Sequence, residues 1–198
     1  MSALLGMDEC GMSVDKVNRR SGYAYSGVRV RKPGNYSRDS NLTIMYCIEP
    51  GNPHVPPEVQ GSIARPRRSC RVTTAGTNVD TFNRFVSDIV ESIDNNILPV
   101  VGVQNRTFMW DNLRAHKFPI LYETVQGGGR HHIQQRPPYM PEDGQIEFAF
   151  CQLENQLNLN IAHISTINEL ATSIHNILAN LGNDGGFHNM FIHCGHRP

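Results

Sequence analysis

The sequence predicts an α/β fold in which an early antiparallel meander is followed by a crossover to a further strand. Two observations lead to this prediction. Short apolar and β-branched runs come first, and stretches with helical spacing of apolar residues dominate the second half. The 198 residues, 39% of them hydrophobic, suit one domain with its own core. No internal repeat or domain boundary is visible, so residues 1–198 are treated as a single domain.

Apolar runs bounded by turn signals predict the strands, which are 3–7, 23–31, 41–48 and 100–110. The first and the last of these runs stop at an acid, Asp8 and Asp111 respectively. Residues 49–78 are rich in Pro, Gly and Arg, which predicts a long basic loop.

Helical spacing of apolar residues predicts three helices, which begin near 77, 143 and 164. In the second of them, Ile146, Phe150 and Leu153 belong to the apolar stripe, and Glu147 lies at its edge. Residues 182–198 are predicted to form an irregular tail. Its histidines and Cys194 match no zinc-finger spacing.

Charge and cysteine content restrict the environment of the protein. Lys plus Arg equal Asp plus Glu at 18 each, so the global charge gives no support for a nucleic-acid partner. Five scattered cysteines without a C-x-x-C pair predict free thiols in a reducing compartment. No apolar run is long enough for a membrane span, and no secretory signal is evident. An intracellular location is expected, nuclear in a eukaryote and otherwise cytoplasmic.

Three acids share a setting that suits chemistry. Asp8 and Asp111 each follow a predicted strand, and open α/β sheets hold their sites beyond the carboxyl ends of strands. Glu147 could join them from its helix. Carboxylates brought together repel one another unless a cation is present, and Mg²⁺ prefers such oxygen ligands. Taken singly, each acid is more simply explained as a turn residue, a helix cap or a dipole-complementing charge.

Three sequence blocks carry a family resemblance. They are G-M-D-E at 6–9, M-W-D-N-L-R-A-H at 109–116, and R-P-P-Y-M-P-E-D-G-Q-I-E-F-A-F at 136–150. With them the chain resembles the catalytic domain of the mariner-like DDE transposases, from about residue 4 to 180. Between Asp111 and Glu147 lie 35 residues, 112–146, close to the interval typical of that family. The resemblance implies an RNase H-like fold with a five-stranded mixed sheet flanked by helices.

The resemblance also implies a reaction and its cofactors. Asp8, Asp111 and Glu147 would be the catalytic acids and would bind two Mg²⁺ or Mn²⁺ ions. The reaction would be hydrolysis of DNA, followed by attack of the freed 3′-hydroxyl on target DNA. From their positions in the sequence, His116 is expected to orient the turn after Asp111 through a hydrogen bond, with contact to the phosphates or the metal site as the alternative. Asn112 is expected to cap or pin the same turn, with contact to a metal-bound water as the alternative. The expected partners are DNA and, as an option, a second copy of the chain; neither a membrane nor a small organic cofactor is expected.

Basic residues are candidates for contact with the DNA backbone. A disordered basic loop is the alternative for the four arginines at 65–71, and a simple turn is the alternative for the Gly-rich segment that holds Arg130. The candidates are Arg65, Arg67, Arg68, Arg71 and Arg130.

Two departures from the family keep other functions open. G-Q-I-E replaces the family's N-P-I-E at 144–147, and the first acid is already residue 8, where family members carry DNA-binding domains before it. The chain is therefore expected to be a fragment, a degraded copy or a host-retained remnant. The main alternative function is a catalytically silent DNA- or protein-binding module. A third candidate function is that of an RNase H-like nuclease acting on RNA. The second and third sequence blocks argue against it.

Overall fold

The structure is a computed structural model of the chain. It describes residues 3–14, 26, 41–50, 67–74, 76–95, 105–137, 144–160, 164–182 and 186–196. The predicted strand over 23–31 lies, except for residue 26, outside these residues. None of the described helices is long and apolar enough to cross a membrane.

Three strands come first among the described elements, and the helices and the last two strands follow. The strands are β1 (Ala3–Met12), β2 (Leu42–Glu49), β3 (Arg67–Thr73), β4 (Arg106–Trp110) and β5 (His132–Gln135). The helices are α1 (Val79–Asn95), α2 (Pro119–Gln126), α3 (Gln145–Leu159), α4 (Ile167–Asn180) and α5 (Gly186–His193). A short 3₁₀ helix, Arg114–Lys117, lies between β4 and α2.

The five strands form one mixed sheet in the order β3-β2-β1-β4-β5. β1 pairs antiparallel with β2 and β2 with β3, so the sheet contains an antiparallel meander as predicted, but its third strand, β3, comes from residues that were predicted to form a loop. β4 pairs parallel with both β1 and β5, so the chain crosses over between β3 and β4 through α1. The carboxyl ends of β4 and β5 therefore lie together, beside the middle of β1.

Helices cover both faces of the sheet and bury two cores. On one face, α1 and α2 pack on Phe108, Trp110 and the odd-numbered residues Leu5 and Met7 of β1. On the other face, α3, α4 and α5 cover a core that contains Tyr46 and Met12. Because side chains alternate along a strand, Asp8 points to the α3 face.

Two predictions about strands were wrong in part. β1 does not stop before Asp8 but continues to Met12, because β2 pairs with it along Gly6–Met12. Residues 67–73 are not part of a loop but form β3. The sequence R-R-S-C-R-V-T resembles a loop because it is polar, and an edge strand with one neighbour tolerates such residues.

The predicted irregular tail was also partly wrong, because it contains α5. Phe187, Met190 and Phe191 have helical spacing and are buried in the core under α3. The edge of the Phe187 ring meets Tyr46 of β2 at a centroid distance of 6.4 Å. Among the described residues, no cluster in this tail or elsewhere has three His, Cys, Asp or Glu side chains arranged to hold a metal ion.

Gly6 determines how closely α3 approaches the sheet. A Cβ built on Gly6 would lie 2.6 Å from Nε2 of Gln145, the first residue of α3. Gln145 is 1% exposed and also contacts the sulfur of Met109 on β4 at 4.0 Å. The absence of a side chain at residue 6 thus allows the first turn of α3, which carries Glu147, to lie over β1 and β4.

Candidate active site at the carboxyl end of the parallel strands

The parallel register brings two of the predicted acids and one arginine into a row. Gly6 of β1 pairs with Met109 of β4, so continuing the register by two residues puts Asp8 beside Asp111. Trp110 pairs with Gln135 of β5, so the next residue, Arg136, follows beside Asp111. The backbone N–H of Arg136 donates to the Trp110 carbonyl at 2.8 Å, which fixes this end of β5.

Glu147 enters the site from above the sheet, in the first turn of α3. Arg136 joins it to the row: Nη2 of the guanidinium donates to Asp8 Oδ2, and Nη1 donates to Glu147 Oε1 at 3.4 Å. The Arg136 side chain is 7% exposed, whereas that of Glu147 is 46% exposed. One buried cation therefore lies between carboxylates of β1 and α3.

The environment of Asp8 shows that the three predicted acids share one electrostatic site. Burial raises the pKa of the Asp8 carboxyl to about 6, although the Arg136 charge and the Glu9 backbone N–H lower it. The value near 6 is the balance of these effects with the negative charges of Asp111 and Glu147, which also raise the pKa. The sequence prediction that Asp8, Asp111 and Glu147 converge is thus consistent with the structure, while their roles stay predictions.

Asp111 is held by the histidine that follows it in the second block. Its Oδ1 lies 2.5 Å from His116 Nδ1 and accepts from the Leu113 backbone N–H at 3.2 Å. Nε2 of the same ring lies 3.2 Å from Glu9 Oε1. Burial alone would raise the pKa of Asp111, but the hydrogen bond from His116 lowers it below its ordinary value. Asp111 is therefore ionised at neutral pH.

His116 is part of the core on the α1 face. The ring is fully buried, stacks on Phe82 of α1 at 4.2 Å and lies 6.3 Å from the Trp110 ring. Burial lowers its pKa, but the hydrogen bonds to Asp111 and Glu9 outweigh this and raise the pKa to about 9. His116 is therefore an imidazolium that donates to two carboxylates, as its predicted supporting role requires.

Asn112, the other predicted supporting residue, follows Asp111 in the turn after β4. Its side-chain Oδ1 is buried and has no hydrogen-bond partner among the described residues. A buried carbonyl oxygen of this kind is an acceptor that a bound group would satisfy.

The predicted DNA-binding arginines that the structure describes do not gather at this site. Arg65 lies outside the described residues, and Arg67 and Arg68 belong to β3, the strand farthest from β5. Arg71 pairs with Asp88 of α1, and Arg130 pairs with Asp94 at 2.6 Å near the end of α1. Because Arg130 precedes β5 and Arg136 follows it, Arg130 lies at the opposite end of that strand. Their contact with DNA stays a prediction.

The donor set suits a hard divalent cation. Asp8, Asp111 and Glu147 offer only carboxylate oxygens, and two of them already share a cationic group, the Arg136 guanidinium. In their present rotamers, Asp111 Oδ1 turns to His116, and Arg136 lies between the other two acids. This explains why no group of three ligands is assembled within the described part of the chain.

Three residues of the site lie within the quoted blocks but were not predicted to belong to the site: Gly6, Glu9 and Arg136. Glu9 follows Asp8 directly, and the alternation of side chains along β1 sends it to the opposite face, where it meets His116. Arg136 opens the third block, R-P-P-Y-M-P, and its distance from Asp111 in sequence hid their proximity. No local signal marks Gly6, because its role depends on where α3 packs.

A mixed sheet of this order, with acids on adjacent parallel strands and on the helix above them, defines the class of RNase H-like domains. The chain belongs to the DDE superfamily endonucleases, whose family model matches residues 3–171. A comparison with curated protein sequences found no match.

Solved structures with the same fold are complexes of the Mos1 mariner transposase. The Mos1 paired-end complex with Mn has a TM-score of 0.67 at 12% identity, over 98% of this chain and 54% of that chain. The Mos1 paired-end complex with Mg has a TM-score of 0.65 at 11% sequence identity, over 98% of this chain and 53% of that chain. The Mos1 strand transfer complex has a TM-score of 0.64 at 12% sequence identity, over 98% of this chain and 52% of that chain.

These likenesses confirm the predicted α/β, RNase H-like fold with its five-stranded mixed sheet. The chain spans about half the length of the Mos1 chains that it matches.

Proposed function

We propose that this chain is the catalytic domain of a metal-dependent DNA endonuclease and strand-transfer enzyme of the transposase type. The observation that carries the proposal is the convergence of Asp8, Asp111 and Glu147 around one buried cationic group at the carboxyl end of the parallel strands. Membership of the DDE superfamily endonucleases supports it. So do the likenesses to Mos1 structures described as paired-end and strand transfer complexes.

The three acids would hold two Mg²⁺ or Mn²⁺ ions, and the Mos1 complexes with Mn and Mg support this choice of metal. When bound, such ions activate water and stabilise the leaving oxygen of a phosphodiester. The chain itself supplies ionised ligands in defined positions. His116 keeps Asp111 deprotonated and fixes its rotamer, while the first turn of α3 presents the half-exposed Glu147.

DNA would be the substrate, and its backbone would lie along the exposed side of Glu147. Asn112 Oδ1 is a free acceptor, within the described residues, for a water or a nucleotide group entering the site. The arginines 65, 67, 68, 71 and 130 remain candidates for contacts farther along the DNA. The paired-end complexes of Mos1 support a dimer of catalytic chains as the active assembly.

Nicking of supercoiled plasmid in Mn²⁺ tests the proposal. The wild-type chain should convert plasmid to the open circle only when Mn²⁺ or Mg²⁺ is present. Asp111→Ala and Glu147→Gln should abolish this, while Asp80→Ala, which removes an exposed acid of α1, should not. Nicking in EDTA, or nicking that survives Asp111→Ala, would contradict it. Strand transfer is tested by joining a labelled oligonucleotide with a free 3′-hydroxyl to the plasmid.

A catalytically silent binding module is the second candidate. Two observations favour it: Arg136 already pairs with two of the three acids, and no group of three ligands is assembled among the described residues. Isothermal calorimetry separates the two candidates. Heat of Mn²⁺ binding that disappears in Asp111→Ala supports the enzyme, and no heat at millimolar Mn²⁺ supports the silent module.

A further inference from the structure

We infer that Arg136 is a built-in competitor of the divalent cation, and that it exchanges its carboxylate partners for a DNA phosphate when metal binds. Arg136 would then couple metal binding to DNA binding. This inference rests on the proposed function, because it concerns the same acids. It adds Arg136 as a positioning residue that acts through Asp8 and Glu147. Arg136 would determine whether the divalent cation can bind these two acids.

The geometry of the Arg136 fork supports competition. Its two terminal nitrogens serve two carboxylates from different elements, Asp8 of β1 and Glu147 of α3. The side chain is 7% exposed, and its backbone N–H is tied to Trp110. The guanidinium therefore lies between the oxygens that a shared cation would need. A divalent ion and the guanidinium repel each other, so both cannot keep these oxygens.

The displaced guanidinium needs another anion. A buried cation that loses its partners is strongly unfavourable, so release is favoured only where a new partner is at hand. Asp111 is near enough for Arg136 to lower its pKa, but its Oδ1 is already bound by His116 and Leu113. A phosphodiester matches the planar fork and brings the negative charge that is needed.

This exchange has a thermodynamic signature. Without DNA, metal must displace Arg136 at a loss of its ion pairs, so the affinity for metal is low. With DNA present, the phosphate stabilises the released guanidinium, so metal binds more tightly. By linkage, metal must raise the affinity for DNA by the same factor. Removing the guanidinium should raise the affinity for metal alone and abolish the coupling through this residue.

The test uses the full chain and two measurements. Calorimetry gives the Kd for Mn²⁺ without DNA, and the anisotropy of a fluorescent DNA duplex gives its Kd in EDTA and in Mn²⁺. We expect Arg136→Gln to bind Mn²⁺ about tenfold more tightly than wild type, within the usual range of coupling factors. In wild type, Mn²⁺ should tighten DNA binding by a similar factor, and in Arg136→Gln this tightening should be lost.

Two further variants keep the inference falsifiable. Arg84→Gln removes one exposed arginine of α1 and should leave the affinity for Mn²⁺ unchanged. Arg136→Lys keeps the charge but cannot bridge both carboxylates, so its affinity for Mn²⁺ should fall between wild type and Arg136→Gln. Should Arg136→Gln fail to give a cooperative melt by circular dichroism, Arg136→Lys carries the test, and affinity equal to wild type counts against the inference.

The outcomes distinguish this inference from the proposed function. If Arg136→Gln binds Mn²⁺ no more tightly than wild type, while Asp111→Ala still abolishes Mn²⁺ binding, the competition is refuted and the proposed function stands. If Asp111→Ala and Glu147→Gln leave the affinity for Mn²⁺ unchanged, the acids do not hold the metal and the proposed function fails with it.

Discussion

His116 and Asp111 form a close polar contact in the site, with 2.5 Å between Nδ1 and Oδ1. The contact joins the core under α1 to the row of acids, because the His116 ring packs on Phe82 of α1 and Asp111 lies beside Asp8. Glu9 binds the other nitrogen of the ring at 3.2 Å. The first and second sequence blocks are thus linked through one buried imidazolium.

Replacement of His116 should destabilise the whole domain. His116→Leu removes a charged donor from two carboxylates, and we expect a loss of about 2–3 kcal/mol in the free energy of unfolding. Urea denaturation followed by circular dichroism measures it. His175→Leu, at an exposed histidine of α4, is the control and should change stability by less than about 0.5 kcal/mol. A small effect of His116→Leu would mean that the two carboxylates do not depend on the ring.

Addition of one methyl group at Gly6 should disturb the site. The new Cβ of Gly6→Ala would lie 2.6–2.9 Å from three side-chain atoms of Gln145, so the side chain of Gln145 or the start of α3 must move. Overpacking of this kind costs about 1–3 kcal/mol, and the shift of Glu147 should also lower plasmid nicking.

Gly128→Ala is the matched control for that substitution. A Cβ at Gly128 would meet nothing within 4 Å, and the residue is exposed after α2. We therefore expect wild-type stability and nicking. Equal behaviour of the two alanine variants would show that α3 does not rest on Gly6.

The buried ion pair between Arg106 and Glu49 lies at the opposite end of the sheet. Removal of one of its partners should destabilise the domain, because the other charge then stays buried without it. Arg106 Nε lies 2.7 Å from Glu49 Oε1, and the two side chains are 7% and 0% exposed. The two atoms are close but are not aligned as in a hydrogen bond, so the contact is an ion pair. Arg106→Met leaves Glu49 without this buried counter-charge, and we expect a loss of about 3–5 kcal/mol.

Arg71→Met provides the comparison, because the Arg71–Asp88 pair is exposed by 33% and 57%. Such a pair contributes about 0–1 kcal/mol. Thermal melting of both variants at one pH distinguishes the two pairs. Similar losses in both would show that burial of Glu49 is not what makes its pairing important.

The start of α4 should carry a measurable pH dependence. Glu169 closes a capping box with Thr166 and also accepts from Ser165, and these hydrogen bonds lower its pKa to about 2. A depressed pKa in the folded state means that the stabilisation is present above the ordinary value near 4.5. It should be lost as the pH falls towards about 2.

The melting temperature of wild type and Glu169→Gln, followed from pH 7 to pH 2, checks this effect. The two curves should approach each other as the pH falls below 4.5, since the unfolded wild type then takes up a proton at Glu169 that the folded state binds only near pH 2. Parallel curves over this range would mean that Glu169 does not stabilise the helix through its charge. Because the residue is on the surface, high salt should weaken the difference.

The sequence predicts the elements whose pattern is local and strong. The helices around Phe82 and Ile146 show clear helical spacing, and the strand at 41–48 is rich in apolar and β-branched residues, so all three agree with the structure. β3 and β5 could not be predicted in this way. β3 is rich in arginine, and β5 has only four residues, so the pairing of the sheet rather than their composition makes them strands.

The residues of the candidate site also fall into those that a local sequence pattern predicts and those that depend on the pairing and packing of distant elements. Asp8, Asp111 and Glu147 were predicted because their blocks can be read in the sequence. Arg136 and Gly6 were not, because their importance arises from parallel register and from the packing of α3 on β1. The paired arginines Arg71 and Arg130 show the reverse case. A basic cluster in sequence need not be free for a phosphate, since each of these two has an acid of α1 beside it.

The parallel pairing of β1 with β4 has a consequence for the order in which the domain folds. It joins Ala3 to Arg106, 103 positions apart in the chain, and α3 must then add Glu147. Contacts so distant in sequence form only after a large loss of chain entropy, which slows folding. The antiparallel hairpin-like pairs and α1 can form earlier. During synthesis, Asp8, Asp111 and Glu147 therefore meet only after most of the domain has left the ribosome.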